Sequence, residues 1–212
     1  MKKNKISKNW LRNNNKDLYF RQSKIQGYRS RSAFKLIEMN NKFKFLKKNV
    51  SLLDLGSSPG GWSQVVSKEV NHGKILAVDI KDMEKISNVD FLKGDFCNDE
   101  IRKKIIKYFN NNTDIVLSDM AINTTGNKEM DSFNTGELCM QAMSLSREIL
   151  TEKGIFLSKI FMGSIFYEID KMAKKYFKNV IKYKPLSSKS ESKEIYIYCK
   201  GLLKIWYIIS KD

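Results

Sequence analysis

From residue 50 onward, short apolar runs alternate with stretches whose apolar positions recur every three or four residues. Runs at 50–55, 74–80, 89–92, 114–118 and 154–161 have strand length, and helical spacing is expected at 62–70, 98–109, 134–150 and 165–177. Asn98 stands as a cap before Asp99 and Glu100, which suit the first turn of a helix. Two closing strands are expected near 180–183 and 194–199. Upstream, Ala33, Phe34, Leu36, Ile37 and Met39 mark an amphipathic helix from Ser30, with Lys35 among its apolar positions. Such alternation predicts an α/β fold: seven strands in a mostly parallel sheet, with helices on both faces. No repeat is visible, and only two prolines interrupt the chain.

The chain has 212 residues, 42% hydrophobic and 29% charged, which supports one sizeable core and one domain. We place that domain at 29–201, after a basic N-terminal arm (1–28) and before an apolar tail (202–212). The arm carries scattered aromatics (Trp10, Tyr19, Phe20, Tyr28) and is expected to be ordered only in part. No run of eighteen apolar residues exists, so no membrane helix is expected. The basic start, Met1-Lys2-Lys3-Asn4-Lys5, is not followed by an apolar stretch, so a secretory signal is not expected either. Cys97, Cys139 and Cys199 are far apart, and with the lone His72 they form neither a disulfide framework nor a zinc site. No metal is expected.

Formal net charge is +16, and its distribution says more than its total. Residues 1–48 carry fifteen Lys/Arg against two acids, residues 171–204 ten against two, and residues 49–170 thirteen against eighteen. Two basic ends flank an acidic middle. A lysine-rich solvated face is the plain alternative, but a long polyanion is the better partner for this arrangement, and nucleic acid is expected.

Three of the expected strands end in aspartate: Leu53-Asp54, Val78-Asp79 and Ser118-Asp119. Ligands of open parallel sheets sit outside the carboxyl ends of the strands, so three carboxylates converge where hydroxyls, amines and positive charge are welcome. Capping of loops accounts for one such aspartate more easily than for three. The first strand runs into Gly56-Ser57-Ser58-Pro59-Gly60-Gly61-Trp62, a glycine-rich turn that is neither GxGxxG nor a phosphate-binding P-loop. Asp79 follows Gly56 by 23 residues, near the spacing of a ribose-binding acid. The ligand expected is a nucleoside without a bound phosphate chain, and S-adenosylmethionine fits. Asp95, after the third strand, is placed to accept from an adenine amino group.

Four separated strings, at 54–64 (DLGSSPGGWSQ), 94–96 (GDF), 118–121 (SDMA) and 194–196 (EIY), carry a resemblance to the FtsJ family. It extends from about Trp10 to Cys199 and includes Arg29–Leu36 (RSRSAFKL). These are bacterial ribosomal RNA large-subunit (23S) ribose 2′-O-methyltransferases, with relatives in mitochondria. The resemblance implies a Rossmann-like methyltransferase fold and contacts from Gly60, Trp62, Asp79, Asp95 and Asp119 to S-adenosylmethionine. It further implies a catalytic Lys-Asp-Lys-Glu set at Lys35, Asp119, Lys159 and Glu194. Lys159, at the end of an apolar strand, is costly to bury unless paired or catalytic, and is expected to be the principal catalytic residue. Desolvation and Lys35 would lower its basicity while Asp119 and Glu194 would raise it, so proton acceptor and charged stabiliser both stay open. Alone, Lys35 reads as a surface lysine and Glu194 as a strand-end acid.

The expected substrate is a ribose, a uridine's as the resemblance implies, in large-subunit ribosomal RNA. The protein is expected to be cytoplasmic and a monomer by default. Two departures from the family pattern stand out: Ile122 where proline usually follows, and Met162–Ile165 after the Lys159 strand. Ile122 keeps open a catalytically inactive RNA-binding assembly factor. A nicotinamide-dependent oxidoreductase is disfavoured by the missing GxGxxG.

Overall fold

The computed structural model describes residues 18–120, 127–189 and 191–203. Strand β1 (Leu52–Leu55) is buried throughout, because it lies at the centre of a sheet covered on both faces. It pairs in parallel with β2 (Ile75–Asp79) on one side and β4 (Thr113–Ser118) on the other. Beyond β2 lies β3 (Asp90–Lys93), and beyond β4 lies β5 (Leu150–Phe161), both parallel. The chain then forms β6 (Phe177–Tyr183) and returns through β7 (Glu194–Leu202), which runs antiparallel to both β5 and β6. The order is β3-β2-β1-β4-β5-β7-β6, so the direction of winding reverses between β1 and β4. A crevice opens at that point, above the carboxyl ends of the strands.

Period-two alternation sorts the apolar residues between two faces. Leu52, Ile75, Ala77, Leu117 and Leu157 pack against Leu36 and Met39 of α2 (Ser32–Phe43) and Val65 and Val66 of α3 (Gly61–Glu69). Leu53, Leu76, Val116 and Phe156 meet α4 (Asp99–Phe109), α5 (Lys128–Ile149) and α6 (Phe166–Tyr176) on the other face. Asn98 caps α4 as expected, its side chain accepting the Glu100 amide at 2.8 Å.

Several boundaries differ from the sequence reading, each for a local reason. α5 begins six residues earlier than position 134, because Asn127 caps it by accepting the amides of Glu129 and Met130. Gly136 sits inside that helix, where a Cβ would collide with Ile165; the missing side chain lets α5 close on the start of α6. β5 begins at Leu150, before the polar Thr151-Glu152-Lys153 segment that ended the apolar pattern, and β6 begins at Phe177 rather than 180. Part of the expected arm, Leu18–Ile25, is the first helix, α1, with Tyr19 against Phe34 of α2 at 5.6 Å between ring centroids. The rest of the arm (1–17), Ile122 and the tail from 204 lie outside the described residues. Among the described residues no helix is long and apolar enough to cross a membrane.

Candidate active site

The three strand-end aspartates come out in two roles. Asp54 lies beneath the crevice rather than in its wall: it is 1% exposed, and the Ser63 hydroxyl donates to its Oδ2 at 2.6 Å. Burial, with the charges of Asp119 and Asp79 adding, pushes its carboxyl up to about 7. An acid whose folded value stands above its unfolded value holds its proton longer in the native state. Its contribution to stability therefore falls as pH rises from about 4 to about 7. Asp54→Asn should flatten that part of the stability–pH curve relative to wild type, read by urea unfolding across the range. Equal slopes in the two proteins would contradict the burial of an ionisable group here.

Asp79 and Asp119 both line a cavity of about 500 Å³ in the crevice, with Asp95 as a third acid. Asp79 accepts the Ser58 amide at 2.9 Å and the Lys81 amide at 2.8 Å, which fastens the glycine-rich loop to the end of β2. Asp95 accepts the Cys97 amide at 2.9 Å, and burial beside that carboxylate pushes the Cys97 thiol up to about 12. Ile80, Phe96, Met120 and Leu138 supply apolar wall between the acids. At Gly56, φ is 74° and a Cβ would collide with Met120; only glycine lets the loop pass this close.

Gly60 and Trp62 stand behind that loop rather than in the cavity lining. Gly60 (φ 110°) donates its amide to the Ser57 carbonyl at 2.7 Å and precedes the first residue of α3. The Trp62 indole is buried, donates to the Ser32 carbonyl at 2.9 Å and packs against the Tyr196 ring at 5.8 Å.

Two ion pairs hold the Lys-Asp-Lys-Glu set. Lys159, near the end of β5 and 7% exposed, places Nζ 3.0 Å from Asp119 Oδ1 and donates to the Asp119 carbonyl at 2.6 Å. Lys35 of α2 pairs with Glu194 at the start of β7 at 2.6 Å, and the Ser188 hydroxyl donates to the same carboxylate oxygen at 2.9 Å. Tyr196 joins the two. It sits opposite Lys159 in the β5–β7 register, donates its hydroxyl to Asp119 Oδ1 at 2.8 Å, and lies under Lys35 Nζ, 5.8 Å from the ring centroid.

Tyr196 is the residue sequence reasoning left without a role, although it ends the string at 194–196. Period two from Glu194 would have put it on the same face. Burial and the charges of Asp119 and Glu194 push its hydroxyl well above the usual value, which keeps it a donor. Arg31 lies nearby, donating to the Ser187 carbonyl at 2.7 Å, and burial lowers its guanidinium despite the pull of Glu194.

A switch-point cavity lined by acids, beside the paired lysines Lys159 (buried) and Lys35 (half-buried) on a 3-2-1-4-5-7-6 sheet, has the architecture of a Rossmann-like methyltransferase. The chain belongs to the FtsJ-like methyltransferase family, whose family model matches residues 28–202. It is 52% identical over 202 residues to ribosomal RNA large subunit methyltransferase E of Pelagibacter ubique (strain HTCC1062), covering 95% of this chain and all of that one. The protein of the same name from Rickettsia akari (strain Hartford) is 43% identical over 197 residues, covering 90% of this chain and 87% of that one. Among solved structures, one from Plasmodium falciparum, described as a ribosomal RNA methyltransferase, superposes with a TM-score of 0.75 at 35% identity. That match covers 83% of this chain and 99% of the other. The fold class and the family expected from the four strings are both borne out.

Proposed function

We propose that this protein methylates the 2′-hydroxyl of a ribose, a uridine's, in the 23S RNA of the large ribosomal subunit in the cytoplasm. S-adenosylmethionine is the methyl donor, and when bound it supplies an electrophilic methyl group on a sulfonium. The cavity fits such a group: its acids suit ribose hydroxyls and positive charge, and its apolar wall suits an adenine. Asp79 and Asp95 are the acceptors for ribose and adenine, and Asp119 faces the cationic end. Gly60 and Trp62 serve the same site by shaping and backing the loop.

The observation that carries this reading is Lys159. A lysine amine buried at the sheet's upper rim is held by two contacts to Asp119, itself part of the cavity wall. As an ammonium it has three donors; one goes to the Asp119 carbonyl, while the charge pairs with the Asp119 carboxylate at 3.0 Å. A remaining donor is left to hold a ribose 2′-oxygen in line with the methyl group and to stabilise negative charge on that oxygen while its proton departs to solvent and the O–CH3 bond replaces the donor's S–CH3 bond. Tyr196 and Asp119 fix the amine's direction, while Lys35 and Glu194 neutralise one another beside it. The basic flanks suit RNA phosphates.

Incubation of undermodified large subunits with labelled S-adenosylmethionine tests the proposal. Wild type is expected to transfer label. Cofactor binding without transfer would favour the inactive assembly factor instead.

A further inference from the structure

A second cavity, of about 680 Å³, opens at the opposite end of the sheet from the cofactor crevice, where β1 and β4 begin. Its lining includes six lysines: Lys44, Lys47, Lys48, Lys153, Lys178 and Lys200. All six are exposed, and none is ion-paired among the described residues. The cavity's acids are Glu152 and Asp114, and Asp114 already accepts the Ser51 amide at 2.8 Å. A lysine-rich composition scatters amines over a surface; here four separate chain segments bring them to one concavity.

The ground beneath them is rigid. Lys44 donates its amide to the Asn40 carbonyl at 2.7 Å, Leu46 to the Asn40 side chain at 2.9 Å, and His72 to the Lys48 carbonyl at 3.0 Å. Phe45 and Leu46 are buried under the loop, and Phe43 stacks on Tyr198 at 4.3 Å. The backbone from which Lys44, Lys47 and Lys48 project is therefore held on a floor of core residues.

We propose that this cleft is a second RNA-contacting surface, taking the phosphate backbone of a ribosomal RNA segment remote from the target nucleotide. It rests on the RNA substrate proposed above. Lys153 and Lys159 lie six residues apart on β5, about 20 Å at ~3.3 Å per residue. The two sites lie at opposite ends of the sheet, so the cleft is assigned to a different part of the folded RNA from the nucleotide held at Lys159. Contacts of this kind fix orientation and carry no sequence information.

The test uses Lys48→Glu/Lys153→Glu/Lys178→Glu in the full chain, with undermodified large subunits and a duplex RNA of arbitrary sequence as probes. Each lost phosphate contact takes about 0.7–0.9 from the slope of log K against log salt. The variant is expected to bind large subunits at least ~10-fold more weakly near 100 mM salt, with the slope reduced by about two. S-adenosylmethionine affinity and thermal midpoint should stay at wild-type values. Unchanged affinity and slope, while wild type still transfers methyl groups, would overturn the cleft proposal alone. Failure of wild type to transfer at all would instead strike the proposed function. A lowered midpoint with unchanged RNA binding, reproduced by deleting 204–212, would assign the cleft to the chain's own tail and also overturn the proposal.

Discussion

Lys159→Ala is expected to slow methyl transfer by about 10²–10⁴-fold, the range for removing a positioned proton-transfer or charge-stabilising group. The loss should fall on kcat, because the role proposed for the amine is to meet the incoming sugar oxygen. It is not itself in the cavity wall of Asp79, Asp95, Phe96 and Asp119, and touches that wall only at Asp119. S-adenosylmethionine binding, followed by calorimetry, should stay within about two-fold. Lys159→Arg keeps the charge and the contact to Asp119 but widens the donor group, so it should recover part of the rate. Full activity in the alanine variant would remove Lys159 from the mechanism.

The second large effect is on stability. Asp119 holds the Lys159 amine through both its carboxylate and its carbonyl, and the two side chains are only 15% and 7% exposed. Asp119→Asn keeps the carbonyl contact and loses the charge, leaving a buried ammonium without its counter-ion. Breaking a buried pair from one side costs about 3–5 kcal/mol. For a domain of this size each kcal/mol moves the midpoint by ~2–4 °C, so a drop of roughly 6–20 °C is expected in calorimetry. Asp119→Asn/Lys159→Met removes both charges and should regain much of the midpoint while staying inactive. If the single and double variants melted alike, the pair would not be desolvated as the structure shows.

The sheet and most of its elements were legible because its strands are buried on both faces and read as unbroken apolar runs, as in Leu52–Leu55. What escaped were places where polar residues continue an element. Asn127 starts α5 through a side-chain cap, and Thr151-Glu152-Lys153 extends β5 without an apolar pattern. The aspartates were legible by position and not by role. Asp54 shares its strand-end setting with Asp79, but only the packing of Ser63 over it shows that it is enclosed below the crevice. Lys35 and Glu194, 159 residues apart, form one ion pair. Neither says so locally, and only the antiparallel return of β7 against β5 brings Glu194 into the neighbourhood of Lys159.

Delivery of the methyl group to a sugar oxygen beside Lys159 can be measured directly. Mass spectrometry of nuclease-digested RNA from treated large subunits locates that methyl group, and alkali provides a check, since a 2′-O-methylated ribose cannot attack its own phosphodiester. One alkali-resistant uridine is expected, methylated on its ribose by wild type and not by Lys159→Ala. A methyl group found on a base, or on the ribose equally with both proteins, would contradict it.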